Sequence, residues 1–167
     1  MEKFERLENL VKRDATIVFK NFSGEERKPY NPSGRRNFCL LLTEDEAEKL
    51  YDEGWNVKRF KQRDPDEVPD AYIQVAVNYG NYPPAIYMVT GRKKVLLDED
   101  TIGGLDYAEI EKIDVEVRPS RWKRDDGTFG VKAYVKTMYV TISEDVFAND
   151  YPDFEADLVT EEEEIPF

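Results

Sequence analysis

Residues 110–142, with the sequence IEKIDVEVRPSRWKRDDGTFGVKAYVKTMYVTI, contain the longest β-hairpin pattern in the chain. Apolar and polar side chains alternate along two arms, residues 110–118 and 131–142, and this is the period of a strand with one buried face. The intervening tip, residues 119–130, contains the turn sequence Asp125-Asp126-Gly127. On the second arm, Lys132, Tyr134 and Lys136 alternate with small apolar residues, so we expect these three side chains to share one outward face.

Further strands are predicted before this hairpin. They lie at residues 15–22, which are rich in β-branched and aromatic residues, at the apolar run 37–42, at the alternating stretch 71–79, and at residues 55–62, 85–90 and 94–97. One short helix is expected after Thr43, because Thr43 and Glu46 have the spacing of a capping box and Gly54 supplies a stop signal. The pattern predicts a mainly β fold, an OB-fold-like small β-barrel with one short helix and elaborated hairpins. A β-sandwich is the competing architecture.

Charge divides the chain into a body and a tail. The formal net charge is −12, but ten of the 36 acidic residues and none of the 24 basic residues lie in residues 144–167. The body therefore holds 26 acids against 24 bases, a charge of −2, which does not exclude a polyanionic partner. The acidic segment has too few apolar residues to offset the entropy of ordering. We expect a folded domain at residues 1–145 and a flexible acidic tail at residues 146–167.

Few residues in this sequence could support catalysis. The chain has no histidine, and Cys39 lies in an apolar run where a thiol behaves as a small hydrophobic group. The acids Asp98-Glu99-Asp100 could hold Mg²⁺, but such residues more often only solvate a loop. We therefore expect no enzyme activity, no cofactor and no metal. One cysteine, no signal peptide pattern and no long apolar run indicate a cytoplasmic protein with no membrane partner.

The last seven residues join a run of carboxylates to an apolar and rigid end. They are Glu161, Glu162, Glu163, Glu164, Ile165, Pro166 and Phe167. Such a segment fits a pocket with one basic and one apolar subsite. It resembles the C-terminus of bacterial and phage single-stranded DNA-binding proteins. Residues 31–38 (NPSGRRNF), 54–58 (GWNVK) and 130–136 (GVKAYVK) look like phage-encoded members of that family, whose body is an OB fold. The resemblance implies that the body binds single-stranded DNA and that these seven residues bind replication and recombination proteins.

The body has the side chains that such binding requires. Single strands are bound without sequence preference by aromatic rings that stack on bases and by cations that contact phosphates, along an open groove. Several short stretches of this sequence combine both types. The predicted DNA-binding residues are Arg35, Arg36, Trp55, Lys58, Arg59, Phe60, Lys61, Tyr79, Tyr82, Arg92, Lys93, Arg118, Arg121, Trp122, Lys123, Arg124, Phe129, Lys132, Tyr134 and Lys136.

Many of these residues also have an ordinary structural interpretation. Trp55 follows the glycine that ends the helix and could cover the core, and Phe60 could be a core residue as well. Tyr79 and Tyr82 lie at one turn, where they could stack on bases or fill the mouth of a barrel. The interpretation of Trp122 favours function, because four basic residues surround it and little apolar sequence is available to bury it.

The sequence therefore predicts a protein without enzyme activity that binds single-stranded DNA in replication, recombination and repair in a bacterial host. RNA binding is one alternative, because stacking and phosphate contacts serve either polymer. The other is a protein-interaction β-barrel with no role in nucleic-acid binding. Self-association and the length of the binding site stay open.

Overall fold

The computed structural model describes residues 7–25, 34–80 and 82–143, and these ranges form one sheet with one α-helix. The strands are β1 (Leu10–Lys12), β2 (Ile17–Asn21), β3 (Asn37–Leu42), β4 (Lys58–Arg59), β5 (Ala71–Ala76), β6 (Ala85–Thr90), β7 (Lys93–Leu97), β8 (Ile110–Lys123) and β9 (Phe129–Ile142). The α-helix, α1, spans Glu44–Glu53, and a 3-10 helix spans Ile102–Asp106. The predicted mainly β class with one short helix is confirmed. The predicted tail, residues 146–167, lies outside the described residues.

The two end strands of the sheet lie close together. Neighbouring strands run in the order β1-β8-β9-β5-β3-β2, while β4 pairs with β5, β6 pairs with β9, and β7 pairs with β6. The two ends of this path, β1 and β2, are consecutive in the chain, and between them the Ala15 amide donates a hydrogen bond to the Ile113 carbonyl of β8 at 2.7 Å. Strand pairing does not close the described sheet, so a closed OB barrel stays a prediction. The described strands form one sheet and not the two separate sheets of a sandwich.

The long hairpin is confirmed, and it extends further than the alternation predicts. Both strands continue to the pair Lys123 and Phe129, so most of the predicted tip is strand. Pro119 is accommodated within β8, opposite Ala133. Only a tight turn remains, in which the Arg124 amide donates to the Thr128 carbonyl at 2.8 Å. As a result, residues that the sequence assigned to a loop are held on a rigid two-stranded arm.

A register shift in this hairpin changes which residues face the core. Glu116 pairs with Thr137, whereas its neighbour Val117 pairs with Val135, so β9 contains one extra residue at Lys136. Before the shift, Val131, Ala133 and Val135 are buried; after it, Met138 and Val140 are buried. Such a bulge changes the face of the sheet toward which the following side chains point. Lys132 and Lys136 are exposed and Tyr134 is half-buried, so the predicted outward face is confirmed.

The helix forms as its capping signals predict. The Thr43 hydroxyl accepts a hydrogen bond from the Glu46 amide, and the Glu46 carboxylate accepts one from the Thr43 amide. Gly54 ends the helix with φ = 99°, in the left-handed region that favours glycine. The strand predicted at residues 55–62 is much shorter, because only Lys58 and Arg59 pair with β5. Trp55 instead makes an isolated bridge to Val131 and lies in the core.

Candidate nucleic-acid interface

A groove of about 640 Å³ crosses the outer face of the sheet. Arg35 lies on one side of it, and Trp122 and Lys132 lie on the other. Its floor includes Gln74 and Ala76 of β5, whose outward side chains are polar or small. The floor therefore leaves space for an extended chain between two walls that carry cations and aromatic rings.

Trp122 forms the aromatic wall of this groove. The pairing of β8 with β9 places Trp122 directly opposite Gly130, and the indole lies against the glycine. A Cβ atom at position 130 would be 2.5 Å from Cζ2 of the indole, so this close approach requires glycine. Trp122 remains 41% exposed, and the Arg124 guanidinium lies 5.1 Å from the ring centroid. The glycine thus supports a partly exposed ring that is available for stacking.

Next to Trp122, four side chains form an alternating series of rings and cations. The Arg118 guanidinium lies 5.4 Å from the Tyr82 ring centroid and 5.1 Å from the Tyr134 ring centroid. The Lys132 ammonium lies 5.3 Å from the same Tyr134 ring. Tyr82 is 75% exposed, although it contacts a cation. Distances of this size are those of cation–π contacts, which here hold rings and positive charges side by side on the surface.

Two predicted binding residues, Arg36 and Tyr79, make mainly internal contacts. The Arg36 Nε donates to the Phe22 carbonyl at 3.0 Å, and its guanidinium also reaches Glu99 at 3.9 Å. The Tyr79 hydroxyl is buried and has no hydrogen-bond partner among the described residues. Burial raises the pKa of Tyr79 to about 12, although nearby Arg36 acts to lower it. Arg36 still lines the groove, whereas Tyr79 is not among the residues that line it.

The structure corrects the prediction for Trp55. This side chain is 3% exposed, and its Nε1 donates to the Glu53 carboxylate at 3.0 Å. A ring buried to this extent has no face available for a base. Trp55 is buried because it directly follows the glycine that ends the helix. The chain turns there and places the large side chain against the core.

In the basic cluster at residues 58–61, Arg59 forms an ion pair within the fold, whereas the two lysines are exposed. The Arg59 guanidinium binds the Glu44 carboxylate through two hydrogen bonds, at 2.6 and 2.9 Å. This pairing raises the pKa of Arg59 and lowers the pKa of Glu44. Lys58 and Lys61 are exposed, whereas Phe60 stacks on Tyr72 with ring centroids 4.2 Å apart. Arg59 is therefore less suited to phosphate contact than its lysine neighbours.

The other predicted cations lie at different distances from the groove. Arg92 lies in the turn between β6 and β7, and Lys93 is the first residue of β7, next to the pair formed by Val89 and Thr141. Thr141 follows Lys132 by nine residues along β9, which is about 30 Å of strand. Lys136 lies 3.8 Å from the Glu116 carboxylate. Arg121 and Lys123 are exposed near the end of β8, where they flank Trp122 along the strand and so point to the opposite face.

Phe19 and Tyr72 belong to the same outer surface, but the sequence did not indicate them. Phe19 is 72% exposed on β2, and its ring centroid lies 5.9 Å from that of Phe60. Tyr72 precedes Gln74 by two residues on β5, so it lies on the same face as the groove floor. Neither residue lies within a cluster of basic residues, which was the signal that identified the others.

The acidic loop at residues 98–100 has a structural role. The Asp98 carboxylate accepts hydrogen bonds from the Asp100 amide and from the amide and hydroxyl of Thr101. These contacts lower the pKa of Asp98, with the Thr101 hydroxyl making the largest contribution. Within the described ranges, no group of three or more Asp, Glu, Cys or His residues is arranged to hold a metal ion. No helix in those ranges is long and apolar enough to cross a membrane.

Three solved structures of a protein from bacteriophage Enc34 have a similar fold. The chain is 11% identical to "Single-stranded DNA-binding protein from bacteriophage Enc34 in complex with ssDNA", with a TM-score of 0.51 over 82% of this chain and 88% of that chain. For the C-terminal truncation of the Enc34 protein the identity is 11% and the TM-score 0.51, over 87% and 98% of the two chains. A third Enc34 structure gives 12% identity and a TM-score of 0.50, over 88% of each chain. At identities this low, the structural likeness shows a shared fold alone.

One protein family matches almost the whole sequence. None of the curated proteins matches this chain. The family described as phage ssDNA-binding domain matches residues 1–165, which include the whole sheet and the groove. This chain is therefore a member of the phage ssDNA-binding domain family.

Proposed function

We propose that this protein binds single-stranded DNA, without sequence preference, along the groove on the outer face of its sheet. One observation carries the proposal, namely the series Tyr82, Arg118, Tyr134 and Lys132 beside the exposed ring of Trp122. Alternating rings and cations match the alternating bases and phosphates of a single strand. The Enc34 protein of similar fold is described as a complex with ssDNA, which supports the same ligand class here.

The groove also accounts for the absence of sequence preference. Stacking uses the flat face of a base, which every base has, and contributes about 1 to 3 kcal/mol per base. Phosphate contacts carry no sequence information. The side chains that we assign to these contacts are Arg35, Lys58, Arg118, Trp122, Lys132 and Tyr134, together with Tyr82, Arg121, Lys123, Arg124 and Phe129 at the edge.

The domain and tail are proposed to have separate roles. Residues 1–145 would bind DNA, and residues 146–167 would recruit other proteins of replication, recombination and repair. The seven terminal residues, Glu161 to Phe167, offer carboxylates for steering and an apolar end for a pocket. Membership in a phage family fits action on DNA in the cytoplasm of a bacterial host cell.

Fluorescence titration tests the proposed DNA binding, because the protein has two tryptophans and only Trp122 is exposed. Oligo-dT should quench Trp122, and a duplex of the same sequence should bind more weakly. With contacts from Arg35, Lys58, Arg118 and Lys132, the slope of log K against log salt should be about −3. Equal binding to duplex, or a slope near zero, would contradict the proposal.

A parallel titration with oligo-rU separates the two polymers. Oligo-dT and oligo-rU have the same phosphates but differ at the 2′-hydroxyl and at the thymine methyl group, so oligo-dU is the control that isolates the hydroxyl. We expect oligo-dT to bind at least as tightly as oligo-rU. A clear preference for oligo-rU would favour the RNA alternative, and no binding of either would favour a protein-interaction role.

A further inference from the structure

Phe19 has an unusual backbone and an unusual exposure. Its φ is 53°, in the left-handed region that residues with a Cβ atom seldom adopt. The pairing of β2 with β3 shifts between Val18 and Asn21, so the residue occupies a bulge. The phenyl ring is 72% exposed, although a residue of this type is normally buried. The strand thus accepts local strain and holds a large apolar ring out in water, a combination that occurs at binding sites.

Phe19 does not stand alone on this surface. Its ring centroid is 5.9 Å from that of Phe60, and Phe60 in turn stacks on Tyr72 at 4.2 Å with planes 20° apart. A hollow of about 480 Å³ lies beside these rings, and its charged lining residues are Lys61, Arg63, Glu67 and Asp70. The hollow thus combines aromatic rings with two cations, as the Trp122 wall does, although two carboxylates also line it.

The hollow and the proposed DNA groove lie along the same face of β5. The outward residues of β5 run from Tyr72, beside Phe60, to Gln74 and Ala76 in the groove floor. The strand order β2-β3-β5-β9-β8 places Phe19 and Trp122 at opposite ends of this face. Four strand spacings separate them, which is about 19 Å. A stacked strand advances about 3.4 Å per nucleotide, so about six nucleotides would reach from one end to the other.

We propose that Phe19 and Phe60 form a second base-stacking subsite, which takes a nucleobase from the same DNA strand that contacts Trp122. This inference rests on the proposed function, because it names the far end of that binding track. Lys61 and Arg63 contact the phosphates on either side of the stacked base. The strained backbone of Phe19 turns the ring toward the DNA and away from the core.

The test compares wild type with Phe19→Ala on oligo-dT of about 3 and about 12 nucleotides, by fluorescence anisotropy. The longer oligonucleotide reaches both ends, so its affinity should fall about 5-fold to 150-fold on loss of one stacking platform. The shorter one can use the Trp122 end alone and should lose no more than about twofold. Phe19→Trp retains a ring and should bind the longer oligonucleotide as wild type does.

The matched control is Tyr51→Ala, because Tyr51 is a 70% exposed aromatic residue on the acidic helix α1. It should change neither affinity, and thermal unfolding of all variants should match that of wild type. Equal binding of the longer oligonucleotide by wild type and Phe19→Ala would overturn the inference and leave the proposed function intact. A change of oligomeric state in Phe19→Ala, seen by light scattering without loss of DNA affinity, would overturn it in favour of a protein interface. Failure of wild type to bind any oligonucleotide would instead reject the proposed function.

Discussion

Replacing Gly130 with alanine should displace the Trp122 ring and weaken DNA binding without weakening the fold. The added Cβ would lie 2.5 Å from Cζ2 and 2.8 Å from Cε2 of the indole. Carbon atoms in contact prefer about 3.5 to 4.0 Å, so the ring must move outward by about 1 Å or more. Trp122 is 41% exposed, which gives the ring room to move.

The effect on stability should be small or favourable. Gly130 lies within β9 and is not among the described glycines with positive φ, so alanine fits its backbone. Removing a glycine from a strand interior is worth about 0.5 to 1 kcal/mol of stability. DNA affinity should nevertheless fall, by at most the value of one stacking platform, about 1 to 3 kcal/mol. Stability and binding should therefore change independently.

The assay is an anisotropy titration of Gly130→Ala, Trp122→Ala and the double variant with oligo-dT, alongside thermal unfolding. If Gly130 acts only by positioning the indole, Gly130→Ala should have no further effect once Trp122→Ala is present. Gly104→Ala is the control, because a Cβ there would meet no atom within 4 Å. Wild-type affinity in Gly130→Ala, together with a clear loss in Trp122→Ala, would refute the argument that this glycine supports the ring.

Arg118→Gln should weaken single-strand binding and reduce the magnitude of the slope of log K against log salt by about 1, because one phosphate contact is lost. An unchanged slope in the same titration would show that Arg118 is not part of the interface. Stability should fall as pH drops below about 4.5, the ordinary pKa of the Glu46 carboxyl. Burial acts to raise the pKa of Glu46, but hydrogen bonds from Lys12 and Thr43 lower it overall, so its contribution is present above the unfolded pKa and lost on acidification. Denaturant unfolding across this pH range should show a smaller loss of stability on acidification in Lys12→Met than in wild type. Parallel curves of stability against pH would contradict the pairing of Lys12 with Glu46. Deleting residues 155–167 should tighten DNA binding most at low salt, because a tethered polyanion competes for the groove. Deleting Phe167 alone should leave DNA affinity unchanged and abolish binding of a replication protein, and identical effects of both deletions on DNA would indicate a purely charged tail.

The parts of the fold that local rules govern could be predicted from the sequence. Alternation identified the outward face of Lys132, Tyr134 and Lys136, because one face of β9 is buried and the other is not. The capping pair of Thr43 and Glu46 located the start of α1, since both hydrogen bonds form within four residues of chain. Such signals do not depend on the rest of the fold.

The site required contacts between distant segments, which no local pattern shows. Arg118 lies between Tyr82 and Tyr134 only because the hairpin register and the approach to β6 bring three segments together. Arg36 and Arg59 belong to basic clusters in the sequence, but they bind Glu99 and Glu44 in the fold. A cluster of basic residues thus indicates where positive charge is concentrated, and tertiary partners determine which cations remain for phosphate.

Phe19 shows most clearly how one backbone irregularity can reverse a prediction from alternation. Ile17 packs against the core, so a regular strand would bury Phe19 two residues later. The bulge and the positive φ at Phe19 shift the alternation of buried and exposed side chains along β2. As a result, Asn21 and Phe22 are buried and Phe19 is exposed. Alternation would therefore assign Phe19 to the core, although the fold presents its ring beside Phe60. The strained geometry has a cost and exposes an apolar ring, and a ligand that covers the ring would offset that cost. The loss of long-oligonucleotide affinity in Phe19→Ala would measure that contact.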